Sequence, residues 1–294
     1  MFKHFRVEDG AERSSQACWT LWIDVAERSV NVLTEEVFEE LRRVVQYTRL
    51  QSPARPLVLR SAKTKGFSVG ADLRRIAMMR GPLEVHDFLE AGQQVLEYLE
   101  QSDQITVAVL EGACLGGGLE VALACRYRIA VESAATRIGM PEVLLGLMPG
   151  WGGTQRLIET VGVEVGLDLL LSGRFVDARQ AFDWGLIDAI AFQDQLSDSI
   201  TQLLTKIEAG LATGRPPVRD ACAAAEPSVQ RAVQGIALSA DDAVPWKEAI
   251  VTAVRRGCLE SRAAGFEAER KLFHSLLAAP RVQEELQKRW RPST

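Results

Sequence analysis

The chain has 294 residues, 47% of them hydrophobic and 25% charged, with a formal net charge of −5. That profile fits a globular protein long enough to bury a large core and excludes a disordered one. No stretch approaches the ~20 uninterrupted apolar residues of a membrane helix, the opening MFKHFRVEDG lacks the apolar core of a secretory signal, and the acidic balance offers no surface for nucleic acid, so a cytoplasmic protein without membrane or nucleic-acid partners is expected.

In chain order, Thr20 to Val25 (TLWIDV) reads as a strand. Thr34 is a candidate N-cap for the helix that follows, with Glu35 and Glu36 placed to favour its dipole and Val37, Phe38 and Leu41 on one apolar stripe. Pro56 to Ser61 and Gln104 to Leu110 read as further buried strands, and strands alternating with helices predict an α/β architecture. From about Leu203 the strand signals fade into Ala-, Arg-, Glu- and Leu-rich helical spacing. The Gly and Pro residues of Gly210 to Pro217 mark a boundary between a core of residues 1–209 and a helical region of residues 210–294. The five cysteines are odd in number and form no CxxC pair, which predicts reduced core thiols rather than disulfides or a zinc site.

Two glycine-containing segments lie at strand-to-helix junctions. In Gly66 to Leu73 (GFSVGADL), glycine permits a sharp turn with an N–H facing a cavity, and Asp72 is placed to cap the next helix. In Gly112 to Glu120 (GACLGGGLE), glycines at the positive end of a helix offer free N–H groups to an anion or to a carbonyl oxygen gathering charge. For either loop taken alone, plain packing and turn chemistry is the favoured reading. Glu120 ends the second loop and Glu142 follows Pro141 in GMPEVLLG. A carboxylate beside an apolar run either reaches a surface or is held for proton transfer with a raised pKa.

The segments FSVGADL, EGACLGGGLEVALAC, RIGMPEVLLGLMPGWGGTQRL and LSGRFVDARQAFDWGLIDAI, in that order, resemble the motif series of the crotonase, or enoyl-CoA hydratase/isomerase, superfamily. RSVNVLTEEVFEEL resembles the family's first strand-to-helix turn, and Val244 to Phe273 resembles the hydratase portion of multifunctional β-oxidation α-subunits. No GxGxxG fingerprint follows a strand, so no dehydrogenase half is expected.

The resemblance implies a crotonase (ClpP/crotonase-like) spiral of β-β-α units capped by C-terminal helices and assembled as a homotrimer or dimer of trimers. It implies an oxyanion hole of two backbone amides, placed at Val69 and Gly117, which would stabilise an enolate-like thioester oxygen by ~3 to 4 kcal/mol per donor. It also implies two glutamates flanking a water, Glu120 and Glu142, with Glu142 as the acid toward the α-carbon. Retention of both favours hydration of a 2-trans-enoyl-CoA over the isomerase alternative, and over a non-catalytic or RNA-binding relative, in which lost glutamates and a basic stripe would be expected. No metal and no cofactor are expected, coenzyme A being part of the acyl-CoA substrate.

Ala71, Asp72, Leu73, Gly116 and Trp151 are the expected substrate contacts. Lys63, Lys65 and Lys271 are candidate cations for the CoA phosphates, with solvated surface lysines as the plain alternative. The helix after Asp72, with Ile76, Met78 and Met79, is a candidate wall of the acyl pocket, or ordinary core. His4, His86 and His274 match no catalytic position. Two positions depart from the family pattern, Arg126 after the ALAC segment and Trp151, whose bulk is expected to narrow the acyl site.

Overall fold

The computed structural model describes residues 2–10, 17–79, 81–212 and 244–290. A short antiparallel pair, β1 (Phe5–Gly10) and β2 (Cys18–Ile23), opens the chain, and α1 (Glu35–Gln51) follows. Thr34 caps α1 as expected, its hydroxyl accepting the Val37 amide, while Val37, Phe38, Leu41, Val44 and Val45 form the buried stripe.

Three strand pairs then repeat one pattern: β3 (Leu57–Ser61) with β4 (Gly66–Ser68), β5 (Thr106–Leu110) with β6 (Ala113–Leu115), and β7 (Tyr127–Val131) with β8 (Arg137–Gly139). The first strand of each pair joins a six-stranded sheet that ends on β9 (Ala189–Ala191), in the order β1-β2-β3-β5-β7-β9. The second strand joins a three-stranded parallel sheet, β4-β6-β8. The chain therefore advances one strand per sheet with each unit, which is the expected spiral of β-β-α units in an α/β protein. Helices α2 (Leu73–Met78), α3 (Pro82–Glu100) and α4 (Gly117–Ala124) fill the crossovers. After β8 come a 3-10 turn (Pro141–Leu145), α5 (Gly153–Val161), α6 (Val163–Ser172) and α7 (Ala178–Asp183), and α8 (Leu196–Glu208) follows β9.

Strand alternation distributes the large sheet between two hydrophobic clusters. Leu57, Leu59, Ala108 and Leu110 face the main core, whereas Val58, Val107, Val109 and Ile129 face α8 through Ile200, Leu203 and Leu204. Arg128, fully buried in β7, bonds the Leu186, Ala122 and Cys125 carbonyls, satisfying acceptors at the C-terminal end of α4.

Helices α9 (Pro245–Leu259), α10 (Arg262–Leu277) and α11 (Pro280–Trp290) contribute Ile250, Val254, Phe273 and Leu286 to the same main core as the spiral. The segment Gly210 to Pro217 ends, from residue 213, outside the described residues, as do Cys222 and the last four residues of the chain. The four described cysteines are free thiols, all buried. Among the described residues no helix is long and apolar enough to cross a membrane.

Asn31, fully buried between β2 and α1, holds the two sheets in register with each other. Its side chain accepts the Val25 amide at 3.0 Å and donates to Ile23 O, Ser61 Oγ and Phe67 O at 2.9 to 3.1 Å, tying β2, β3 and β4 at one point. Removing it strands several buried polar groups at once. Asn31→Ala is expected to lower the unfolding free energy by about 3 kcal/mol in urea titrations; a loss below about 0.5 kcal/mol, the range of a neutral surface change, would contradict this role.

Candidate active site

The two glycine loops meet in a cavity of about 380 Å³ whose lining includes Ala71, Gly116, Gly117, Glu120, Glu142 and Trp151. A larger hollow of about 650 Å³ beside Asp188 and Lys206 contains no residue of either loop. Apart from the two carboxylates, the side chains of the smaller cavity are apolar, among them Leu73, Ile76, Phe88, Met148, Trp151 and Phe273.

Gly70 and Gly116 both have positive φ, 90° and 52°, which glycine adopts without the clash a Cβ would bring. A side chain at Gly70 would press 3.1 Å from the Gly117 nitrogen, and one at Gly116 would put its Cβ 2.6 Å from Glu142 Oε1. The first loop is thus packed against the N-terminus of α4, and Glu142 lies directly over that junction. Gly117 is the first residue of α4, and its N–H is one of the donors a helix leaves without an internal partner.

The amide expected from the first loop needs correction. Val69 N donates to Asn31 O at 3.0 Å and so is engaged within the fold. The next free donor is Ala71. Leu33 N donates to Gly70 O at 2.8 Å and Asp72 N donates to Leu33 O at 3.1 Å, a parallel bridge that turns the intervening Ala71 N–H to the opposite side. Among the described residues, neither the Ala71 nor the Gly117 amide has an acceptor, and both residues line the cavity.

Glu120, in the first turn of α4 and 1% exposed, accepts the Trp151 and Gly153 amides on Oε1 at 2.8 and 2.7 Å. Burial lifts its pKa well above the usual carboxylate range, reinforced by the charges of Glu269 and Glu142 and opposed by those two amides. Glu142, in the 3-10 turn after β8, has its Oε2 buried without a hydrogen-bond partner. Burial pushes its pKa up to about 7, with its own amide lowering it and Glu269 raising it. Both carboxylates therefore keep protons to much higher pH than surface glutamates do.

Glu269 of α10 is the residue the sequence analysis missed. It is fully buried and accepts Gly152 N at 2.7 Å, Thr154 N at 2.9 Å, the Thr154 hydroxyl and Gln93 Nε2 at 3.1 Å. Burial raises its pKa, opposed by the Thr154 and Gly152 donors and by the charge of Arg156. The signal that marks it is spacing: it shares the apolar stripe of Phe266, Phe273 and Leu276 along α10.

The remaining expected contacts divide. Leu73 and Ile76 line the cavity with Ala71 and Gly116, whereas Met78 is exposed and Met79 sits in the main core. Asp72 does not reach the cavity: it caps α2 through Arg74 N at 2.9 Å and pairs with Arg28 at 3.0 Å. None of the three lysines lines it either. Lys63 pairs with Asp24, Lys271 pairs with Glu267 at 2.5 Å on the solvent face of α10, and Lys65 is exposed just before β4. Trp151 is packed between Phe38 and Phe88, with ring centroids 4.6 and 5.3 Å away, and its six-membered ring fills the space beside Gly117. It takes up room at the cavity wall. Arg126 is half-buried and donates its amide to Thr106 Oγ1. His4 is a buried structural histidine that accepts the Ala26 amide on Nδ1.

Residues 21–233 match the model of the family described as enoyl-CoA hydratase/isomerase. The chain belongs to that family. Solved structures with the same fold include an enoyl-CoA hydratase from Bacillus anthracis, with 24% identity, TM-score 0.62, and coverage of 94% of this chain and 92% of that one. The human mitochondrial delta3-delta2-enoyl-CoA isomerase gives 22% identity, TM-score 0.67, and 97% and 96% coverage. An enoyl-CoA hydratase/isomerase from Xanthobacter autotrophicus Py2 gives 19% identity, TM-score 0.70, and 98% and 93% coverage. Hydratase and isomerase thus share the fold of this enoyl-CoA hydratase/isomerase family member, and the choice between them rests on its own side chains.

A raised carboxylate pKa has a thermodynamic consequence. Between pH 4.5 and about 7 the native state holds a proton on Glu142 that the unfolded chain has released, so stability falls as pH rises through that window. Glu142→Gln is expected to be more stable than the parent at about pH 8, by up to about 3 kcal/mol, with the difference closing toward pH 4.5. Urea titrations across that range check it, and a pH-independent difference would contradict it.

Proposed function

We propose that this family member is an enoyl-CoA hydratase that adds water across the double bond of a 2-trans-enoyl-CoA. The observation that carries the reading is the pairing of two buried carboxylates, Glu120 and Glu142, with two unengaged amides, Ala71 and Gly117, around one apolar cavity.

In this reading the thioester oxygen accepts from the Ala71 and Gly117 amides. Water attack at the β-carbon moves electrons toward that oxygen, and the amides stabilise the enolate as it forms, by about 3 kcal/mol each. Glu120 and Glu142 hold the water between them. Although burial raises its pKa, Glu120 is the member whose Oε1 accepts two amides, which favour its charged form, and it is assigned the proton of the water as the water oxygen bonds to the β-carbon. Glu142, with one oxygen lacking any partner, is the member better served by a proton, which it delivers to the α-carbon as the enolate collapses. The hydroxyl ends on the β-carbon and the hydrogen on the α-carbon, so one water is consumed, and transfer of the proton from Glu120 to Glu142 resets the pair. An isomerase moves a proton between carbons and needs no second carboxylate to activate water.

The apolar lining suits an unsubstituted hydrocarbon acyl chain, since a polar substituent would lose its water without finding a partner. The proposal leaves the CoA phosphates to exposed cations such as Lys65, just before β4 and the first glycine loop, and includes a cytoplasmic setting and the trimeric assembly expected of the family.

The test is loss of the conjugated enoyl-thioester absorbance with crotonyl-CoA and longer 2-enoyl-CoAs. Hydration is expected for the parent chain, with kcat reduced on the order of 100-fold or more in both Glu120→Gln and Glu142→Gln. Conversion of 3-enoyl-CoA to 2-enoyl-CoA without hydration by the parent chain would overturn the hydratase reading in favour of an isomerase.

A further inference from the structure

Glu269 lies outside the cavity lining, yet it is among the most completely buried charges in the molecule. Among the described residues no lysine or arginine forms an ion pair with it; its charge is balanced by four hydrogen-bond donors and by Arg156 nearby. Burying a carboxylate without a direct counter-ion is costly unless both oxygens are fully satisfied. Both are, because each accepts two donors. An amide side chain would not replace it, since its NH2 would face donors on one side.

The donors it holds alternate with those held by Glu120. Along the turn leading into α5, Trp151 N and Gly153 N go to Glu120, and Gly152 N and Thr154 N go to Glu269. A peptide segment whose alternate amides are fixed on one side has little freedom left for the others. Resting on the hydratase reading, we propose that Glu269 is a positioning residue for this reaction: by gripping Gly152 and Thr154 it aims the Trp151 and Gly153 amides at Glu120 Oε1 and so fixes where that carboxylate points.

Other charges bear on the same turn. Glu120 from α4 and Glu142 from the 3-10 turn are the neighbouring acids, and Arg156 from α5 is the neighbouring cation, held by Glu100 of α3 and the Trp151 carbonyl. Gln93 of α3 is neutral and is itself held by Arg270 of α10, and α9 meets this region through Ala253 and Gly257, neither of them titratable. The Glu269 charge opposes ionisation of both Glu120 and Glu142, so removing it lowers both pKa values. A negative charge that acts on both members of the pair shifts both limbs of a bell-shaped rate profile in one direction.

The test compares Glu269→Gln, which removes the charge, with Glu269→Asp, which keeps the charge but shortens the reach. Both are folded or not by urea titration, and 13C carboxyl NMR on glutamate-labelled protein reports Glu120 and Glu142 without reference to turnover. Both variants are expected to lose kcat on the order of 10- to 100-fold while KM changes less than about three-fold, the mark of misplaced chemistry rather than lost binding. In Glu269→Gln both limbs of the kcat profile and both carboxyl titrations move to lower pH; in Glu269→Asp they stay within reach of the parent. Parent-like kcat and unmoved titrations in folded Glu269→Gln would overturn the proposal while leaving the hydratase reading intact. A parent chain that turns over no 2-enoyl-CoA would sink the hydratase reading instead, and the NMR titration would still decide whether Glu269 governs Glu120.

Discussion

The turn from Pro149 to Thr154 presents four successive amides, and two buried carboxylates from distant parts of the chain accept them in alternation. Glu120 arrives on the helix that begins within the triple glycine and Glu269 on a C-terminal helix far along the chain. Neither could be buried alone, because an isolated carboxylate out of water would simply take up a proton or pull its helix to the surface. The amides need acceptors as well, since they stand at the open N-terminus of α5. Site and scaffold therefore satisfy each other: the C-terminal helices complete the support of a carboxylate that the spiral alone presents.

Much of this was legible from the chain. Thr34 and Asp72 were readable as caps because a short polar side chain before an apolar stripe has few other uses, and both cap as read. The strands at 57–61 and 106–110 were found, trimmed by one or two residues at their N-terminal ends, because fully buried parallel strands are continuous apolar runs. β1 went unread: FRVEDG carries only two apolar residues in alternation, and as an edge strand it needs no more. The short strands of the small sheet carry almost no periodic signal in three residues each, so the two-sheet spiral came from the motif resemblance and not from hydropathy.

At the site, side chains were easier to read than amides. Glu120 and Glu142 were noticeable as carboxylates beside apolar runs and were assigned to the site by the motif resemblance, and they do share a cavity. Which backbone N–H faces that cavity depends on pairing to a third segment, the Asn31 to Leu33 stretch, and no local pattern reports it. That is why the donor falls on Ala71 and not Val69. Glu269 was hidden for a related reason: its partners are four donors contributed by α3 and the α5 turn, far away in sequence. The lysines mislead in the other direction, since a cation close in sequence to a loop is free to pair elsewhere, as Lys63 does with Asp24.

The arrangement also sets stability against chemistry. Three carboxylates whose pKa values are all raised by burial hold protons that the unfolded chain has released, so each gives up stability as the pH rises toward neutrality, a recurrent feature of sites tuned for proton transfer. The most direct measurement of the central claim is a crystal structure with a 3-ketoacyl-CoA, whose enolate resembles the hydration intermediate but has no double bond left to hydrate. The account predicts its thioester oxygen within about 3 Å of the Ala71 and Gly117 amides, with the Glu120 and Glu142 carboxylates together on one face of the α- and β-carbons. A thioester oxygen bound away from those two amides, or glutamates on opposite faces, would contradict it.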